Sequence, residues 1–89
     1  MKTLIIDGRR CKTKELTWEY LAKKPLFPAW YGNNLDALHD VLTSLCEAVH
    51  IRVRYAASIE ANLGGYGKSM LRALREAAAE NENITLEIL

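Results

Sequence analysis

The sequence predicts a small α/β domain spanning residues 1–89, with a three-stranded parallel β-sheet packed with about four helices. Three observations carry that expectation. A chain of 89 residues supports one domain with one small core. Three short apolar, β-branched segments are separated by helix-like stretches, in the order β-α-α-β-α-α-β. Strands spaced by helices pair in parallel through right-handed crossovers. The composition, 49% hydrophobic and 26% charged, is that of an ordinary globular protein.

Residues 2–7 form the first strand, with Leu4, Ile5 and Ile6 at its centre and a turn at Asp7-Gly8. Thr13 caps a first helix, with Glu15 in its first turn. Leu16, Tyr20 and Leu21 are expected to share its inner face. Lys23 and Lys24 suit its C-terminus, and Pro25 prevents continuation. Residues 27–32 read as loop. Asn33 or Asn34 then caps a second helix running to about Cys46, with Leu35, Leu38, Val41, Leu42 and Leu45 as its apolar stripe. Val49 to Tyr55 alternates apolar with His50, Arg52 and Arg54, so this strand has one exposed face. A short helix from Ala56 to Leu63 ends at Gly64-Gly65. A longer one, rich in Ala and Leu, spans Lys68 to Glu80, and Ile84 to Leu89 is the last strand.

The net charge of +1 points to no partner, but its distribution is uneven. Between Pro25 and Ile51 there is no Lys or Arg, while Asp36, Asp40 and Glu47 are present. Phe27, Trp30 and Tyr31 lie in the same stretch. An acidic, aromatic surface suits a basic partner; a core segment flanked by helix-start acids is the blander explanation. Asp36 and Asp40 are neighbours on one helix face, where like charges repel by roughly 0.2–0.5 kcal/mol. No Lys or Arg stands three or four residues from either. The helix dipole accounts for Asp36, in the first turn, but much less for Asp40. Asp40 is thus a local cost without a local return, which marks it as a candidate functional residue.

Other signals are weaker. The run Asn62 to Ser69 ends like a phosphate-binding loop but has Asn where the first Gly belongs and follows a helix, so it reads as a connection between helices. Asp36, His39 and Asp40 could ligate a metal or serve a small hydrolase, but no further His or Cys pattern supports a metal site and no cofactor is implied. Arg9, Arg10, Lys12 and Lys14 form a basic cluster, read as a solvated loop rather than a nucleic-acid site. Cys11 and Cys46 are expected to be free thiols. The apolar run at residues 4–6 is far short of a membrane span or an export signal, so the expected location is the cytoplasm.

The run from Pro28 to Thr43, Pro-Ala-Trp-Tyr-Gly-Asn-Asn-Leu-Asp-Ala-Leu-His-Asp-Val-Leu-Thr, resembles the signature of the barstar family of intracellular ribonuclease inhibitors. The pattern is roughly P-x-[aromatic]-Y-G-x-N-L-D-A-L-x-D-x-L-T, and every fixed position is met. The segment Arg75-Glu76-Ala77 and the ending Ile84 to Ile88 extend the likeness over the whole chain. The resemblance implies an inhibitor rather than an enzyme, binding a small secreted basic ribonuclease as a 1:1 heterodimer, without nucleic acid or membrane. It implies that Asp40 replaces an RNA phosphate in the enzyme's active site and that Asp36 meets a second basic group. Trp30 would stack near the base site. Tyr31, Gly32, Asn34, Leu35, His39, Thr43 and Glu76 would complete the contact. The alternatives are the small enzyme using Asp36, His39 and Asp40, or a barstar-like module for another basic protein. His39 stands where the best-known member has an aromatic residue, so protonation there is expected to weaken binding to a cationic site.

Overall fold

The computed structural model describes residues 2–24 and 34–89. Among them are three strands, β1 (Lys2–Asp7), β2 (Val49–Arg54) and β3 (Ile84–Ile88). Four α-helices accompany them: α1 (Lys14–Ala22), α2 (Leu35–Thr43), α3 (Ala56–Leu63) and α4 (Gly65–Glu80). The strands form one parallel sheet in the order β1-β2-β3. The register aligns Leu4, Ile51 and Leu86 across the sheet, and Ile6, Val53 and Ile88 one pleat further on.

Alternation sends Leu4, Ile6, Val49, Ile51, Val53 and Ile84 to one face, where all are buried. The helices cover this face with Trp18, Leu21, Leu38, Leu42, Ile59, Met70 and Leu74, which share a single core with the strands. Fully burying a side chain of this size contributes roughly 1.5–3 kcal/mol. The other sheet face is polar: Arg52 Nε donates to Glu87 Oε1 at 2.8 Å, and Ile5 is 42% exposed. The exposed edge of β1 is capped rather than left open. Its Asp7 N–H donates to the Tyr20 hydroxyl at 3.0 Å, and that hydroxyl donates to the Ile5 carbonyl at 3.4 Å.

Several boundaries differ from those the sequence predicts. A 3-10 turn at Gly8–Arg10 follows β1, with the Asp7 carboxylate accepting the Arg9 N–H. Leu16 is exposed, and Trp18 takes the core position instead. Its indole N–H donates to the Tyr66 hydroxyl at 2.9 Å, so tertiary pairing decides which face of α1 turns inward. β2 stops at Arg54 because Tyr55 adopts a left-handed conformation, φ 56°, ahead of α3. α4 begins at Gly65, three residues earlier than expected. Gly67 permits this, since a Cβ there would press on the Ile59 carbonyl. The phosphate-loop-like run therefore joins two helices, with Gly64 at φ 60° between them.

Cys11 is buried and Cys46 exposed, and both are free thiols. Burial pushes the Cys11 thiol pKa above its ordinary value. No helix among the described residues is long and apolar enough to cross a membrane.

Candidate functional site: the acidic edge of α2

The site is built on a helix held at both ends. Asn34 is the N-cap, in extended backbone conformation, and its Oδ1 accepts the Ala37 N–H at 2.8 Å. Such a cap stabilises a helix by about 1 kcal/mol. Leu38 and Leu42 are fully buried, while Leu35 and Val41 pack partly against the core. This anchors one face of α2 and turns Asp36 and Asp40 outward, both exposed and one turn apart. Among the described residues neither carboxylate has an ion-pair partner. No ion pair among these residues offsets the repulsion read from the sequence.

The helix ends at Thr43, short of the expected Cys46, because hydroxyl and amide side chains take over its last carbonyls. Thr43 Oγ1 donates to the His39 carbonyl at 2.9 Å, and Ser44 Oγ donates to that of Asp40 at 2.7 Å. Asn81, only 8% exposed, donates from Nδ2 to the carbonyls of both Leu42 and Leu45 at 2.9 Å. Its own Oδ1 accepts the Asn83 N–H. This residue, at the end of α4, fixes the C-terminal end of α2 from 39 positions away. An Asn after a helix is legible as a cap for its own helix, but no sequence signal names the carbonyls of another.

A groove of about 290 Å³ separates α2 from α4. Leu35, Asp36 and His39 line one side, and Ser69, Arg72, Glu76 and Glu80 the other. The fold thus brings Glu76 beside Asp36 and His39. It also adds two groups that local spacing cannot reveal. His39 Nε2 lies 2.9 Å from Glu80 Oε2, an ion pair when the imidazole is protonated. Arg72 supplies the groove's cation. No group of three His, Cys, Asp or Glu among the described residues is arranged to hold a metal ion. Trp30, Tyr31 and Gly32, expected to complete the contact, lie outside the described residues.

Fold and site together define a small α/β domain that presents, on a pinned helix, two carboxylates without ion partners among the described residues. The model of the family described as Barstar (barnase inhibitor) matches residues 1–89. A relative from Bacillus subtilis (strain 168), named "Putative ribonuclease inhibitor YrdF", is 35% identical over 81 residues, covering 90% of this chain and 89% of its own. The chain belongs to the Barstar family.

Proposed function

We propose that this protein inhibits a barnase-type ribonuclease by inserting the acidic edge of α2 into the enzyme's active site, acting inside the cell on an enzyme destined for secretion. A site that binds RNA is cationic. Asp40 takes the place of an RNA phosphate there, and Asp36 meets a neighbouring basic group. Asn34, Leu35, His39, Thr43 and Glu76 form the surrounding contact, with Trp30, Tyr31 and Gly32 from the preceding segment. The complex is a 1:1 heterodimer of a non-catalytic partner with its enzyme.

The observation that carries this reading is the pair of exposed carboxylates, without ion partners among the described residues, on a helix fixed by Asn34 and Asn81. A pinned helix loses little conformational freedom on binding, so little of the contact energy is spent on ordering it. Charge-assisted hydrogen bonds from Arg or Lys to such carboxylates are short and strong. The family description and the name of the Bacillus relative support the same class of target.

Titration of the purified protein into barnase, with RNA cleavage as readout, tests this. The wild-type chain abolishes cleavage at a one-to-one ratio. Asp40→Ala, on an exposed helix position, keeps its melting temperature but weakens inhibition by at least about 2 kcal/mol, roughly thirtyfold. A wild-type chain that leaves cleavage untouched, or an Asp40→Ala variant equal to it, overturns the proposal.

A further inference from the structure

We propose that the groove between the Gly8–Arg10 turn and α1 binds single-stranded RNA through its phosphodiester backbone. Four cations, Arg9, Arg10, Lys12 and Lys23, line a concavity of about 410 Å³ that contains one carboxylate, Glu19. It shares no lining residue with the groove between α2 and α4. The inference therefore goes beyond inhibition and stands or falls separately.

The sequence builds this groove deliberately. Leu16, Glu19, Tyr20 and the C-cap residue Lys23 recur at helical spacing along one side of α1, away from the buried Thr17, Trp18 and Leu21. Opposite them, Gly8 is buried so closely against Tyr55 that a Cβ would collide with its carbonyl oxygen, which throws Arg9 and Arg10 outward. Arg9 is fixed by the Asp7 carboxylate at 2.9 and 3.1 Å and lies 4.1 Å from the centre of the Tyr55 ring. Arg10, Lys12 and Lys23 have no ion-pair partner among the described residues. Residues 9–24 hold six of the chain's twelve cations and only two acids. Such crowding costs free energy in the isolated protein and is relieved by a polyanion.

A phosphate chain fits better than an acidic protein. Single-stranded RNA carries one negative charge per nucleotide along its whole length, so several cations in one small concavity can meet successive phosphates. The Tyr20 ring is not free to stack on a base: Arg10 and Lys24 lie 5.5 and 4.4 Å from its centre, and its hydroxyl is bound to β1. Binding thus follows the backbone and is indifferent to sequence.

The test is fluorescence anisotropy of a labelled oligouridine titrated with the full chain at several salt concentrations. Three unpaired cations neutralising three phosphates give a slope of log K against log salt of about −2. Arg10→Gln/Lys12→Gln/Lys23→Gln loses at least about tenfold in affinity at low salt. Lys12→Gln/Lys23→Gln, which leaves the contacts of Tyr20 intact, loses most of that. Asp40→Asn, on α2, binds RNA within about twofold of wild type. No binding, equal binding by the folded triple variant, or polyglutamate binding as tightly as RNA would each overturn the proposal.

Discussion

Single residues set the limits of this structure. A Cβ on Gly8 would collide with the Tyr55 carbonyl and crowd Ile59, both part of fixed structure. Gly8→Ala is therefore expected to cost about 1–3 kcal/mol in urea unfolding. Two titratable groups give opposite pH limbs. The Arg9 guanidinium, hydrogen-bonded to Asp7, holds that carboxyl below its ordinary range. Asp7 thus stabilises the fold at pH values above the usual carboxylate range, and this contribution disappears as pH falls through the depressed value. Burial raises the Cys11 thiol pKa, so its contribution is complete below the ordinary thiol range and is lost as pH rises through the raised value. Melting curves of Cys11→Ala are expected to lie below wild type at neutral pH but to fall less steeply under alkaline conditions. An identical alkaline slope would contradict this. The sequence identified Asp36 and Asp40 as unpaired because their helical neighbours were all in view. Trp18 was not legible in the same way, since its partner Tyr66 lies 48 positions away.

At the scale of elements, α2 matters most because its orientation sets where both carboxylates point. Its N-cap was legible to within one residue: the sequence offers Asn33 or Asn34, and Asn34 takes the Ala37 N–H within one turn. Its C-terminus was not. The periodicity of Leu42 and Leu45 continues past the last helical residue, whereas the end is decided by Thr43, Ser44 and Asn81 taking carbonyls. Asn81→Ala removes one donor from each of the Leu42 and Leu45 carbonyls, which keep the Leu45 N–H and Asn83 Nδ2 respectively, at a cost of about 0.5–1.5 kcal/mol for each bond lost. Because the same change frees the end of α2, it should also weaken ribonuclease inhibition although Asn81 is buried. Full inhibition by a destabilised Asn81→Ala protein would show that α2 does not need this anchor. The strands were legible from alternation and their parallel pairing from the intervening helices. Their order was not, because both crossovers allow more than one arrangement until helix packing is known.

For the whole molecule, charge is segregated rather than abundant. Residues 25–51 carry no Lys or Arg, and residues 9–24 carry six. With a net charge of +1, the proposed attraction to a cationic enzyme would act only within about a Debye length of α2, roughly 8–10 Å. Stopped-flow association with barnase should accordingly slow by less than about tenfold between about 0.05 and 0.5 M salt. A steeper dependence would mean that charges well beyond α2 guide the encounter. The three-stranded sheet, with helices covering its inner face, gives α2 the fixed support that the proposed insertion of its edge requires. The sequence revealed that edge through its missing bases, whereas the placement of Glu76, Glu80 and Arg72 opposite it came only with the packing of α4 on α2.

The most direct measurement is the inhibition constant of Asp36→Asn/Asp40→Asn against barnase, taken beside its melting temperature. The substitutions keep size and surface position while removing both charges. The account predicts a melting temperature close to wild type, because the lost repulsion between the two carboxylates and the lost interaction of Asp36 with the helix dipole largely offset each other, and an inhibition constant raised several hundredfold or more. A folded double variant that inhibits as tightly as the wild-type chain would contradict it.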